Sequence, residues 1–286
     1  MELRIALVGL GFVVIWSSAF TAARIAVVDA PPFLFLAIRF AVAGILAVGA
    51  AWLMGQRLTL DRRGWLSVAL FGVFQNTLYL GLIFTAVQRI EASIAVIIAS
   101  CLPLVVAAAR WILFAERLRP LGIAGLVAGL AGVLVIMSAR ITGGADPLGI
   151  LLCVGGLLSL ATATLLMGRA SAGGNLLMVV GLQMFAGSLT LLPLSAIFET
   201  WEITFTPSLG LAFVYIVLFP GLLATLIWFH LVERIGATRA SSFHFLNPFF
   251  GVAIAALILG EALTLRDLLG VGVIMAGIWG VQRGKA

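Results

Sequence analysis

The chain has 286 residues, 63% of them hydrophobic and 10% charged, with a mean hydropathy of +1.23. Soluble domains carry roughly a quarter charged residues, so the composition excludes a soluble globular protein and predicts an all-α polytopic membrane protein. A net charge of +6 and a pI near 10.6 would suggest a nucleic-acid partner in a soluble chain; here the charges stand at the ends of apolar runs, where orientation in a bilayer explains them, and no nucleic-acid partner is expected.

A hydrocarbon core about 30 Å thick needs roughly 20 apolar residues per helix. Cutting the sequence at charges, prolines and glycine clusters gives ten such pieces: 5–23, 33–54, 66–87, 92–114, 121–139, 148–168, 175–197, 209–232, 237–259 and 267–282. Buried backbone must be satisfied within each segment, so these are helices; the alternation of a membrane barrel strand is missing. The first run has the charged start of a signal peptide, yet it nearly reaches spanning length and recurs internally near Leu148–Met167, so it is read as a retained span. Connections are short, and only Phe198 to Pro207, with Glu199, Trp201 and Glu202, has any length.

Polar residues within spans are costly and therefore informative. In the first span Ser17, Thr21 and Arg24 share a face beside Trp16 and Phe20. These hydroxyls, and Thr162 in the sixth span, either bond back to their own helix or line a cavity. The third span carries Gln75, Asn76 and Tyr79, two amides and a polar-tipped ring suited to an amphipathic ligand. The fourth has Ser100 one turn before Pro103, and the ninth has His244 and Asn247 beside Pro248. Each proline removes a helix hydrogen bond, so Pro103 and Pro248 are expected to kink or hinge their helices around a cavity. Arg39 and Arg110 are read as snorkelling cations. Glu116 and Glu261 are read as structural, closing salt bridges or capping the start of the following helix. With no Asp or Glu mid-span, coupling to protons is expected to be absent, or weak through His244. Cys101 and Cys153 show no metal-ligand spacing and are read as packing thiols; neither metal nor cofactor is expected.

One offset relates the two halves. Subtracting 145 places Pro248 on Pro103, Glu261 on Glu116, Gly270 on Gly125, Arg234 on Arg89 and Arg169 on Arg24. The chain therefore reads as two five-span repeats, 1–141 and 146–286. An odd number of spans forces the second copy to enter the membrane upside down, the inverted-repeat plan of secondary transporters with a midplane substrate site. With the N-terminus cytoplasmic, that side holds Arg4, Arg57, Arg62, Arg63, Arg117, Arg119, Arg169, Arg234, Arg239, Arg283 and Lys285, eleven basic residues against four (Arg24, Arg89, Arg140 and Arg266) opposite. Both termini are expected in the cytoplasm. Glycines along spans 5 and 10 mark a packing seam, in a monomer or a weak homodimer.

The ending of each half, a proline-broken helix, then Glu116 or Glu261, then a glycine-rich span, resembles the EamA-type domain of the drug/metabolite transporter superfamily. So do Trp16-Ser17-Ser18-Ala19-Phe20 with Arg24, and Arg39-Phe40. Within that superfamily the chain is most similar to YddG-like exporters of aromatic and other amino acids. The resemblance covers the whole chain and implies export of small metabolites across a bacterial-type inner membrane by alternating access, through a cavity lined by spans 1, 3, 4, 6, 8 and 9. It departs in the second half, where Ala161 stands at the position of Trp16. The expected cargo is an aromatic or large apolar amino acid, its ring against Trp16 and Tyr79 and its zwitterion bonded by Asn76, Ser100, His244 and Asn247, with Ser17, Gln75 and Thr162 alongside. A nucleotide-sugar or other drug-like, cationic-metabolite carrier is the alternative, and the former would want two or more cations facing the cavity. An intramembrane enzyme would need paired acids or an oriented Ser/His pair, which the spans lack; the chain is not expected to be an enzyme.

Overall fold

The structure, a computed structural model, describes residues 3–57, 60–115, 119–142, 144–167, 175–235 and 241–284, all helix and connections. Glu116 lies outside the described residues, as do Arg117, Arg169, Arg239 and Lys285. The spans, in order, are α1 (Leu3–Asp29), α2 (Pro32–Leu53), α3 (Arg62–Ala86), α4 (Ala92–Ala99 with Leu102–Phe114), α5 (Pro120–Thr142), α6 (Pro147–Met167) and α7 (Leu176–Phe198). They continue as α8 (Pro207–Ile216, Val217–Leu223 and Ala224–Ile235), α9 (Ser241–Leu246 with Asn247–Leu259) and α10 (Leu265–Arg283). Among the described residues nine helices are long and apolar enough to cross a bilayer, and Asn247–Leu259 is a shorter apolar one. Large side chains such as Leu134, Leu151, Leu211 and Leu257 are exposed around the bundle, an apolar belt of the kind that meets lipid.

The helices begin where local chemistry lets them. Asp61 caps α3, its carboxylate accepting from Gly64 N at 2.7 Å, so α3 starts at Arg62 and not at residue 66. Thr206 caps α8 ahead of Pro207, and Thr264 with Asp267 forms a capping box on α10. At the other extreme α1 runs six residues past its expected end at Ala23, because Arg24 does not stop the helix. Its guanidinium donates to Val87 O at the end of α3.

Contacts between helices interchange when the two halves are exchanged. α1 packs on α9 as α6 packs on α4; α3 packs on α6 as α8 packs on α1; α3 meets α7 as α8 meets α2. α2 pairs with α7, α4 with α9 and α5 with α10. The α5–α10 seam is backbone against backbone. A Cβ at Gly277 would lie 2.5 Å from Gly129 N and Cα, and one at Gly125 would lie 2.6 Å from Gly277 O. The glycine faces of spans 5 and 10 are thus used within one chain.

First-turn N–H groups are satisfied from a distance. Glu199, in the connection after α7, accepts from Phe33 N at 2.7 Å and Leu34 N at 2.9 Å, capping α2. Gln56, after α2, accepts from Met178 N at 3.1 Å, capping α7. Phe33 and Met178 are 145 residues apart, so the partners α2 and α7 cap each other reciprocally. Glu261, after α9, accepts from Ala92 N at 2.7 Å and Ser93 N at 3.0 Å at the start of α4. It caps its partner helix and not the one that follows it. Elsewhere on this face Arg89 donates to Asp146 Oδ2 at 3.0 Å. Held by that guanidinium and by Leu148 N, the Asp146 carboxyl sits below its usual pKa, so the clasp persists at neutral pH and is lost as pH falls through the lowered value.

Glu261→Ala strands two first-turn N–H groups, each worth about 1–3 kcal/mol when buried and unmet. The detergent-solubilised variant is expected to melt below the parent, with Glu261→Gln recovering part of the loss. Gly277→Val overpacks the seam by about 1–3 kcal/mol or more and should lower the melting temperature, whereas Gly272→Ala, with nothing within 4 Å of its added carbon, should leave it unchanged.

Candidate functional site

The middle of the third helix in each half is not α-helical. Gly72–Tyr79 in α3 and Val217–Leu223 in α8 are π-helical, and 72 + 145 = 217, so the two segments coincide under the repeat. Pro220 explains the segment in α8, since it cannot donate to the helix ladder. In α3 the equivalent residue is Gln75. Widened turns release carbonyls that side chains from neighbouring helices then take up: Ser159 of α6 donates to Phe74 O at 2.7 Å. Close approach at Gly187 of α7, where a Cβ would lie 2.5 Å from Asn76 Cβ, lets Asn76 Nδ2 donate to Gln183 O at 2.9 Å.

The π-segments face each other across a cavity of about 80 Å³. Trp16, Phe20, Phe40, Tyr79 and Phe84 give it aromatic walls, while Gln75, Asn76, Arg39 and Thr225 bring polar groups. Arg39 is the surprise. It is 5% exposed, not snorkelling, and its guanidinium carbon lies 4.0 Å from the Phe40 ring centroid and 6.0 Å from that of Phe84. Its Nε has no acceptor, and no hydrogen bond or ion pair joins it to a described residue. Met184, its equivalent in the second half, lines the same cavity. Arg110 by contrast is exposed, near the end of α4.

A second, smaller space of about 10 Å³ lies on the other side of Trp16, Phe20 and Tyr79, bounded by Ser100, Pro103, His244 and Asn247. α4 and α9 are broken here. Pro103 and Pro248 each occupy the first turn of a new helix, after a turn at Ser100–Cys101 in α4 and after the 3₁₀ segment Ser241–Leu246 in α9. They start helices and do not kink continuous ones, a position that proline tolerates well. Asn247 Nδ2 is 2.9 Å from His244 Nδ1, its carbonyl accepts from Ser17 Oγ at 3.4 Å, and its buried Oδ1 has no partner. The His244 ring sits among Phe12, Trp16 and Trp228 at centroid distances of 5.2, 6.0 and 4.9 Å. Ser100 Oγ donates to Val96 O at 2.6 Å.

An apolar cavity of about 150 Å³ is enough to hold benzene. In this state each chamber is smaller than that, and so are the two together, so the lining must open for a ring-bearing molecule to enter.

The sequence profile of the EamA-like transporter family matches residues 3–138 and, a second time, 147–283. The chain belongs to the EamA-like transporter family. It is therefore a multi-pass membrane transporter built of two family repeats. It is similar, at 28% identity, to the uncharacterized transporter YvbV of Bacillus subtilis, over 96% of this chain and 90% of that one. It is likewise 28% identical to the uncharacterized inner membrane transporter YedA of Escherichia coli, over 95% of this chain and 88% of the relative. Protein PecM of Dickeya dadantii is 25% identical over 88% and 83% of the two chains. A crystal structure 22% identical in sequence superposes with a TM-score of 0.71, covering 98% of this chain and 96% of the other, which shows a common fold.

Of the residues singled out in the sequence, Trp16, Gln75, Asn76 and Tyr79 line the larger chamber, and Trp16, Tyr79, Ser100, His244 and Asn247 the smaller. Ser17 is fully buried behind them, bonded to Asn247. Thr162 stands apart from both chambers, its hydroxyl donating to Leu158 O at 2.9 Å within α6. Cys101 and Cys153 are free and buried. Sequence reasoning passed over Phe12 and Trp228 around His244, and read Arg39 as a snorkelling cation. Its match to Met184 and the adjacent Phe40 were the available signs of something else. It also left α2 and α7 out of the lining, to which they contribute Arg39, Phe40 and Met184.

Gly187→Val should drive Asn76 out of register with Gln183 O. Loss of one buried hydrogen bond, about 1 kcal/mol, and overpacking against Asn76, about 1–3 kcal/mol, are expected to lower the melting temperature, accompanied by a larger loss of transport than an outward-facing substitution such as Leu189→Val gives in the same flux assay.

Proposed function

We propose that this transporter exports amino acids with aromatic or large apolar side chains by alternating access between two inverted repeats. The observation that carries this reading is the lining of the larger chamber, five aromatic rings around two amides with no carboxylate among them. Rings stack on an aromatic side chain, the amides can bond a polar head, and Arg39 is the one fixed charge among the described lining residues. The interchange of helix contacts between halves, together with an odd number of spans per copy, supports the inverted arrangement. The excess of basic residues beside the termini supports a cytoplasmic position for both ends in a bacterial-type inner membrane. Closure of the glycine seam within one chain supports a monomer. In this reading Pro103 and Pro248 mark the points where α4 and α9 flex, and Glu261 with Glu116 belongs to the scaffold.

A nucleotide sugar fits less well. Its paired phosphates call for two or more cations, and among the described lining residues Arg39 is one.

Proteoliposomes holding the purified protein are expected to move labelled phenylalanine or tryptophan above the rate of empty vesicles, and absence of flux for every amino acid tried would sink the reading. Tyr79→Ala removes ring contacts worth about 0.5–1.5 kcal/mol. It should weaken apparent affinity for phenylalanine roughly 2- to 13-fold while leaving alanine competition unchanged.

A further inference from the structure

Arg39 stands seven residues into α2 from Pro32, about 10 Å along its axis, and its side chain turns into the cavity rather than toward that helix end. It is 5% exposed, with an Nε that finds no acceptor. Two aromatic faces, Phe40 and Phe84, attract it, but a ring supplies no anion to neutralise it. A buried charge left without an ionic partner costs more than packing returns, and intramembrane cations that persist face a pathway and a partner. Packing alone does not require this residue, because methionine fills the equivalent place in the other half and lines the same cavity. Beside it the wall is bare backbone. A Cβ at Gly221 would stand 3.8 Å from Arg39 Nη1, so one arm of the fork reaches the backbone of the π-segment in α8.

We propose that Arg39 binds one carboxylate of the cargo, which makes ring-bearing organic monocarboxylates, with or without an amino group, the substrate class of this cavity. The inference rests on the reading of the chain as a carrier of aromatic and apolar amino acids and narrows it. Guanidinium presents two parallel N–H groups that match the two oxygens of a carboxylate. A single cation neutralises a single negative charge, which selects a monocarboxylate over a phosphate ester. No described lining residue is an acid, so an ammonium group finds no counter-charge and meets Arg39 as a like charge. The carboxylate is the required group and the amine is dispensable. The aromatic walls then take the ring of the same molecule.

The test uses the full chain in proteoliposomes at pH 7.5, following uptake of labelled phenylalanine and, separately, of labelled 3-phenylpropionate, each above protein-free vesicles. Phenylalaninamide and 2-phenylethylamine serve as competitors that lack the carboxylate. Both labelled carboxylates should enter, and the two amines should compete at least about tenfold more weakly than phenylalanine, the factor expected for losing a hydrogen-bonded charge partner. Arg39→Met should lose uptake of both labels by about tenfold or more, with Arg39→Lys intermediate. Ligand-free Arg39→Met should melt at or above the parent temperature, since a stranded charge has been removed. Equal competition by phenylalaninamide, failure of 3-phenylpropionate to enter alongside phenylalanine, or a lower melting temperature for ligand-free Arg39→Met would each overturn the proposal. Uptake of 3-phenylpropionate but of no amino acid would overturn the amino-acid reading and leave the carboxylate site standing. No uptake of either label would overturn both.

Discussion

In a bundle this apolar, every backbone N–H or C=O that a helix leaves open has to be met by another part of the chain, because lipid offers no partner. The first turns of α2, α4 and α7 show how this is done. Each receives its acceptor from a connection more than 100 residues away, through Glu199, Glu261 and Gln56 respectively. A cap supplied locally, as Thr206 supplies one to α8, stabilises one helix. A cap supplied by the connection after the packing partner fixes the pair in height as well, because the helices cannot slide without stranding N–H groups. For α2 and α7, where the exchange runs in both directions, the pair is pinned at both ends.

The same constraint explains the arrangement of the middle. The π-segments of α3 and α8 and the breaks in α4 and α9 are the places where the ladders are interrupted, and they cluster around the two chambers. In α3 and α9 a neighbour answers the interruption, as when Ser159 bonds Phe74 O or Ser17 bonds Asn247 O. In α4 and α8 a hydroxyl of the same helix does, Ser100 to Val96 O and Thr225 to Gly221 O. The pairs α2–α7 and α5–α10 therefore flank four irregular helices, of which α3 and α9 receive hydrogen bonds from other elements at their interruptions. Irregularity is confined to the helices that line the space, where alternative partners are close at hand.

Much of this was legible in the residues. The offset of 145 predicted the repeat, the apolar runs predicted the spans, and the cost of amides in lipid picked out Gln75 and Asn76. Boundaries were less legible where a charge could be absorbed: Arg24 looks like the end of a span, yet it sits inside α1 because Val87 O is within reach. Arg39 was misread for the opposite reason. Its distance from the end of α2 is compatible with snorkelling, and only the positions of Phe40, Phe84 and Gly221 show that it turns inward. The π-segment in α3 has no residue signature of its own; Pro220 announces its twin in α8, and the repeat offset would have transferred it. Capping partners followed from pairing, which sequence spacing does not encode, so Glu261 could be recognised as scaffold without its target being known.

The glycine seam between α5 and α10 bears on how the chain comes to be assembled. Its contacts join residues such as Gly125 and Gly277, which lie in the last helix of the first copy and the last helix of the second. During synthesis the glycine face of α5 lacks this partner until α10 emerges. Neither copy completes its own periphery. Insertion order thus makes α10 the closing piece of both halves, and a chain that stopped short of it would leave the first half as unfinished as the second.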